Sequence, residues 1–327
     1  MFQRIASDKQ SSRGIPVGLS SCLAGQQVRY NGGHTQSQLC LKTLSGYFEF
    51  NTFCPEVAAG FGTPRPTMRL IGDPNDPRLA FSDGDYEQDL SPQLEAGYSE
   101  KLKTLSHLDG YILMKNSPSC GLERIKVYQK NGYAHTQKGQ GLFAAALRER
   151  YPLMPLEEEG RLHDPALREN FVLRVYTHHN FRTEVLNDPC YHKLIQFHSS
   201  YKYVLMAHSQ AVYKQLGRYL ADAHALPLEQ VLKTYFETLM AALAAPATRR
   251  GHANVMLHLL GYLKNTVAGE ARQSIVDIID RYRQAKIPMI TPLTLLRHYI
   301  DQSGSGYVKA QRYWEPYPQD LGLANKL

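Results

Sequence analysis

Along roughly the first 150 residues, short apolar runs alternate with stretches in which apolar residues return at helical spacing. Ile15–Ser20 reads as a buried strand, residues 47–53 and 110–114 as a second and third strand, and residues 36–44, 92–106 and 139–150 as helices. Alternation of this kind predicts an α/β domain with a mainly parallel sheet covered by helices. Residues 60–84, rich in Gly, Pro and Asp, read as a long loop or small hairpin, with residues 69–71 and 80–81 as short extended pieces.

Pro152, Pro155, the acidic run at 157–159, Gly160 and Pro165 then interrupt periodic structure and place a boundary near residues 151–164. The expected domains are 1–155 and 156–327. Beyond the boundary the spacing is helical almost throughout. Residues 166–183 follow Asp164 and Pro165, a cap and first-turn signal. Residues 191–220 put Leu194, Phe197, Tyr201, Leu205 and Val212 on one stripe, which Gly217 loosens. Residues 227–244, 252–266, 269–285 and 292–303 complete an all-α bundle of five or six helices, and residues 307–327 read as an extended tail packed through Tyr313 and Trp314.

Composition narrows the class. The chain has no run of eighteen apolar residues, and residues 1–13 are polar without an apolar core, so neither a membrane span nor a secretory signal is expected and the cytoplasm is the default location. In a reducing compartment five cysteines, an odd number, do not read as a disulfide framework. Metal binding or catalysis is the alternative. Charge sharpens the division of the chain: residues 1–160 carry equal numbers of acidic and basic side chains, so the whole net charge of +7 lies beyond Gly160, together with most of the histidines and tyrosines. A basic, aromatic-rich domain beside a neutral one fits a nucleic-acid-binding module joined to a catalytic module, or a solvated cationic surface.

Cys22, Cys54 and Cys120 each follow one of the three predicted strands, so parallel pairing would bring them to one crevice at the carboxyl ends. Three thiolates leave one coordination position open and favour an iron–sulfur cluster or zinc over hard, oxygen-ligated cations. Three buried, inert cysteines are the plain alternative. Cys40 and Cys190 fall in helical stretches and read as structural.

The motifs SCLAG at 21–25, CPE at 54–56 followed by TPRP at 63–66, and KNSPSCG at 115–121 resemble the thiouracil desulfidase (TudS-like) domain over residues 14–155. That resemblance implies a non-redox, iron–sulfur-dependent desulfidase. Cys22, Cys54 and Cys120 would hold a 4Fe-4S cluster whose fourth iron takes the sulfur of a thiocarbonyl base, with zinc as the alternative metal, and Glu56 and Ser117 would form the acid/base and substrate-positioning pair. Glu56 would take a proton from water and return it, Ser117 would hydrogen-bond the base, and Lys115 would stabilise developing negative charge. Residues 197–208 (FHSSYKYVLMAH) and 307–314 (YVKAQRYW) are similar to the helical domain fused to such desulfidases, a combination similar to bacterial enzymes that convert 4-thiouridine in tRNA to uridine.

In that domain Lys202, Arg249, Arg250, His252, Lys309 and Arg312 are the candidate RNA contacts, the segment from Arg249 to His252 above all because it opens a helix. His208 lies on the apolar stripe and reads as a core histidine. Two other functions stay open: desulfidation of free thiouracil or thiouridine, which needs no basic second domain, and a non-enzymatic, metal-containing nucleic-acid-binding protein, which needs no Glu56.

Overall fold

A computed structural model describes residues 14–83 and 88–321; the expectations for residues 1–13, for Gly84 and for the end of the tail at 322–327 lie outside the described residues. The chain divides after His163 into two compact units.

The first unit contains two sheets. One is wholly parallel, in the order β2 (Phe48–Phe53), β1 (Ile15–Ser20), β5 (Tyr111–Leu113), β8 (Leu156–Glu158). The other has the order β4 (Asp76–Phe81), β3 (Met68–Asp73), β6 (Ile125–Tyr128), β7 (Ala134–Gly139), two antiparallel hairpins joined by a parallel β3–β6 pair. Helices α1 (Pro55–Ala58), α2 (Ser91–Lys103) and α3 (Leu142–Arg150) pack with them. Phe143 of α3 is the hub of the core. Its ring lies 5.5 Å from those of Phe53 and Tyr98 and 5.8 Å from that of Tyr111, so both sheets and two helices share one apolar interior. Gly18 is required where β1 passes β5, because a Cβ there would stand 2.1 Å from the Tyr111 ring.

Residues 60–84 contain the β3–β4 hairpin, the second of the two expected forms, with the extended pieces at 69–71 and 80–81 inside its strands. Three features depart from the sequence reading. Strands β6 and β7 are unexpected, because β6 is only four residues long and β7 is polar and mostly exposed. Residues 39–44 form a π-type turn rather than a regular helix. The acidic run expected at the domain boundary instead supplies β8, where Glu158 is buried and accepts hydrogen bonds from the amides of Leu122 (2.9 Å) and Glu123 (3.4 Å), so the break falls after His163 rather than after residue 155.

The second unit is helical: α4 (Pro165–Phe181), α5 (Tyr191–His208), α6 (Gln210–Asp222), α7 (Leu228–Ala242), α8 (Arg249–Gly261), α9 (Gly269–Arg283), α10 (Ile290–Ser303) and the short α11 (Gly306–Lys309). Asp164 caps α4, accepting from the amides of Ala166 (2.8 Å) and Leu167 (3.2 Å). The single helix expected over 191–220 is two. Ser209 takes an extended conformation (φ −154°, ψ 105°), donates its amide to Leu205 and accepts with its hydroxyl from the Val212 amide, ending α5 and capping α6. Central α5 packs on α6, α7 and α8. Gly251 permits the last of these approaches, since a Cβ there would lie 2.0 Å from the Ala207 carbonyl oxygen. The tail packs through buried Tyr313 and Trp314, as a short 3-10 turn rather than an extended strand, with the indole N–H donating to Val308 at 2.7 Å.

Among the described residues no helix is long and apolar enough to cross a membrane.

Candidate active site

Strands β2, β1 and β5 run side by side and parallel, so the chain leaves all three at the same sheet edge. After β1, a 3-10 turn (Ser21–Ala24) carries Cys22 and is closed by Gly25 at φ 87°. After β2, Cys54 sits in extended backbone just before α1, whose first turn holds Glu56. After β5, the chain turns through Asn116 at φ 56°, and the Ser117 hydroxyl accepts the amides of Ser119 (3.2 Å) and Cys120 (3.0 Å), which fixes the position of the Cys120 thiol. Cys22, Cys54 and Cys120 thereby line one cavity of about 170 Å³, whose lining also includes Glu56, Arg65, Lys115, Ser117, Arg29 and Tyr30.

Burial pushes the Cys22 thiol up to about 11, helped by Cys54 and opposed by Arg29. Burial likewise raises Cys54, and raises Cys120 well above the usual thiol value, with Cys54 adding to the rise. Each thiol therefore resists ionisation until a cation compensates the charge. Glu56 is held from two sides. The Arg65 guanidinium, whose side chain is 3% exposed, donates to Oε2 through Nε at 3.1 Å and also through Nη2, and Arg65 is itself fixed by the carbonyls of Gly62 (2.7 Å) and Val28 (3.0 Å). On the other side, the hydroxyl of fully buried Ser119 donates to Oε1 at 2.8 Å and that of Ser117 reaches the same oxygen at 3.5 Å.

Arg65 and Ser119 had no role in the sequence reading although both stand inside its motifs. The signal lay in the neighbours: Arg65 is enclosed by Pro64 and Pro66, and Ser119 by Pro118 and Cys120, stiff surroundings for polar side chains. Lys115 is exposed at the rim of the cavity. Cys40 is buried, hydrogen-bonded from its amide to Ser37, and apart from this cavity.

These residues lie within a region of matched sequence. Residues 17–159 match the 2-thiouracil desulfurase family, and residues 202–318 match a protein family of unknown function, DUF1722. The chain is 34% identical over 131 residues to the uncharacterized protein YbgA of Escherichia coli (strain K12), covering 78% of that protein and 40% of this chain. It is 30% identical over 139 residues to the uncharacterized protein YbbK of Bacillus subtilis (strain 168), covering 88% of that protein and 40% of this chain. This chain belongs to the 2-thiouracil desulfurase family. A solved structure, the 4Fe-4S-dependent thiouracil desulfidase TudS (DUF523Vcz), is 28% identical and covers 99% of its own chain and 49% of this one, with a TM-score of 0.36. In this member of the 2-thiouracil desulfurase family, the three cysteines and Glu56 all fall inside the matched region.

The expected RNA contacts of the second unit are placed unequally. Arg250 is exposed in the first turn of α8. Arg249 folds over the Tyr282 ring at 5.1 Å and donates to the Tyr282 carbonyl, and Lys309 donates to the Asp301 carbonyl at 2.8 Å. Arg312 pairs with Glu184 at 2.5 Å. His252 supplies no cation: desolvation pushes its imidazole down to about 3, and its Nδ1 is hydrogen-bonded with the Tyr313 hydroxyl at 2.9 Å. His208 is also neutral, lowered to about 4, and its Nδ1–H donates to the Ala245 carbonyl. Lys202 stands among tyrosines.

Proposed function

We propose that this chain is a non-redox desulfidase that removes sulfur from a thiolated uracil base, 4-thiouridine in tRNA, giving uridine and sulfide. The observation that carries the reading is the meeting, in one cavity at the ends of three parallel strands, of three cysteines and a doubly anchored carboxylate.

Two features of the site fit a 4Fe-4S cluster. The cavity exceeds by about tenfold the ~10–15 Å³ that one water needs. Among the described residues the fully enclosed Tyr111 hydroxyl has no hydrogen-bond partner, and burial raises its pKa, with Cys120, Cys54 and Cys22 near enough to add to the rise when ionised. A cluster sulfide beside the thiols would be its acceptor. Cys22, Cys54 and Cys120 would hold the group, which when bound supplies a Lewis-acidic iron for the thiocarbonyl sulfur.

The chain's own residues account for the rest. Water adds its oxygen to the ring carbon and the C–S bond breaks, so thiocarbonyl plus water becomes carbonyl plus hydrogen sulfide. Glu56 accepts one proton of that water as its oxygen adds and returns it to the sulfur, and the proton of the resulting ring hydroxyl follows by the same carboxylate as the C–S bond breaks, so both protons of the water leave on hydrogen sulfide. Arg65 and Ser119 hold the carboxylate to one orientation, because both of its oxygens are engaged from the protein side. Ser117 shapes the loop and completes that contact, and Lys115 at the rim offsets negative charge developing on the base. The basic excess of the second half and its exposed Arg250 support RNA rather than a free base as the substrate, with the second unit as its binding domain.

Anaerobic purification tests the cofactor directly. The expected product is a brown protein with iron, acid-labile sulfide and a broad thiolate-to-iron absorbance, all lost in Cys120→Ala; a colourless protein that loads zinc and rejects iron would contradict the reading.

A further inference from the structure

Four elements of the second unit bring tyrosines around one lysine. Lys202 on α5 places its ammonium 5.0 Å from the ring centre of Tyr203, 5.8 Å from Tyr213 on α6 and 5.9 Å from Tyr307 on α11. The Tyr203 hydroxyl donates to that of Tyr262, just past the end of α8, at 3.1 Å. The rings of Tyr262 and Tyr307 lie 6.4 Å apart, inclined at 38°, and each of these residues is 41% exposed. Behind them the His198 ring stacks on Tyr213 at 5.9 Å and 9°.

A cluster serving only stability would bury its rings or pair its cation. Tyr203 is buried, as a structural member should be, but Tyr262 and Tyr307 keep apolar ring surface in water, and among the described residues Lys202 makes no ion pair. Cation–π contacts with three rings hold the ammonium in place while leaving its charge uncompensated. The neighbouring cations are exposed too: Lys214 follows Tyr213, and Lys264 lies two residues after Tyr262. An acidic peptide would engage the lysines but gain little from flat ring faces. An unpaired nucleotide offers both a π-face and a phosphate.

We propose that Tyr262 and Tyr307 are a stacking platform for unpaired bases of RNA, with Lys202 fixed between the rings to meet the adjoining phosphate. The proposal rests on the reading of RNA as the substrate and adds to it where on the second unit the strand is held.

The test is fluorescence anisotropy of the cluster-loaded full chain with labelled tRNA across a salt series, for Tyr262→Ala, Tyr307→Ala, the two Tyr→Phe variants and Lys202→Gln. Each Ala variant should weaken binding about tenfold, within the ~1–3 kcal/mol that one stacked base contributes, with the salt slope unchanged. The Phe variants should retain affinity, because stacking needs the ring and not the hydroxyl. Lys202→Gln should reduce the salt slope by about 0.7–0.9, the loss of one phosphate contact. Thermal melting of each variant separates lost contact from lost fold, and the Phe variants keep the test valid if an Ala variant melts early. Ala variants that bind like the wild type, Phe variants as weak as the Ala variants, or polyglutamate bound more tightly than tRNA would overturn the platform while leaving the substrate reading intact. A wild-type chain that does not bind tRNA would overturn both.

Discussion

In the proposed reaction Glu56 is the residue on which the chemistry turns, and its surroundings explain why a sequence motif alone understates it. The CPE motif places the carboxylate two residues from a thiol, but its orientation comes from Arg65, nine residues on, and from Ser119, 63 residues on and brought to the other oxygen by the fold. Glu56→Gln should lower the desulfidation rate by about 10²–10⁴-fold, the usual contribution of a general acid–base group, with the cluster absorbance retained. Arg65→Met should destabilise the first unit by about 3–5 kcal/mol, because it removes one partner of a pair whose side chains are 3% and 13% exposed; urea unfolding measures it. Tyr111→Phe deletes only a hydroxyl that has no partner among the described residues, and should shift the electron paramagnetic resonance of the reduced cluster and hasten its loss in air. A wild-type spectrum and wild-type lifetime in that variant would remove Tyr111 from the site.

At the scale of elements, what was legible in the sequence follows the strength of local signals. The runs that became β1 and β5 are apolar and sharply bounded, and β2 sets Phe48, Phe50 and Phe53 among polar residues, so the convergence of three cysteines at the ends of the strands could be anticipated from the strand pattern and the cysteine spacing. The second sheet could not, since β7 alternates weakly among polar residues and gains its pairing from β6 rather than from its own pattern. Helix α4 was readable because Asp164 and Pro165 announce it, whereas the break at Ser209 was not: nothing but a serine hydroxyl interrupts continuous helical spacing there. The α5–α8 crossing likewise depends on the absence of one Cβ. Gly251→Ala forces the helices apart against the Ala207 carbonyl and should lower stability by about 1–3 kcal/mol, seen as an earlier melting transition of the helical signal.

Across the whole molecule, charge and burial divide between the units. His198, His208 and His252 are held neutral by desolvation, at about 4, 4 and 3 against the ordinary 6.5. Their folded values lie below their unfolded ones, so the unfolded chain binds more protons in between. The stability they support is therefore complete above pH 6.5 and falls as pH drops toward 4 and 3. His252→Gln should flatten that decline in thermal melts taken as a function of pH. The concentration of the +7 charge in the second half predicts tRNA binding that weakens steeply with salt. The most direct test of the account is the sulfide released when anaerobically reconstituted protein, with its iron content measured, is incubated with tRNA carrying 4-thiouridine. The account predicts one sulfide per thiolated base converted to uridine, with release abolished in Cys120→Ala and reduced by orders of magnitude in Glu56→Gln. Full retention of 4-thiouridine by protein carrying its complete cluster would contradict it.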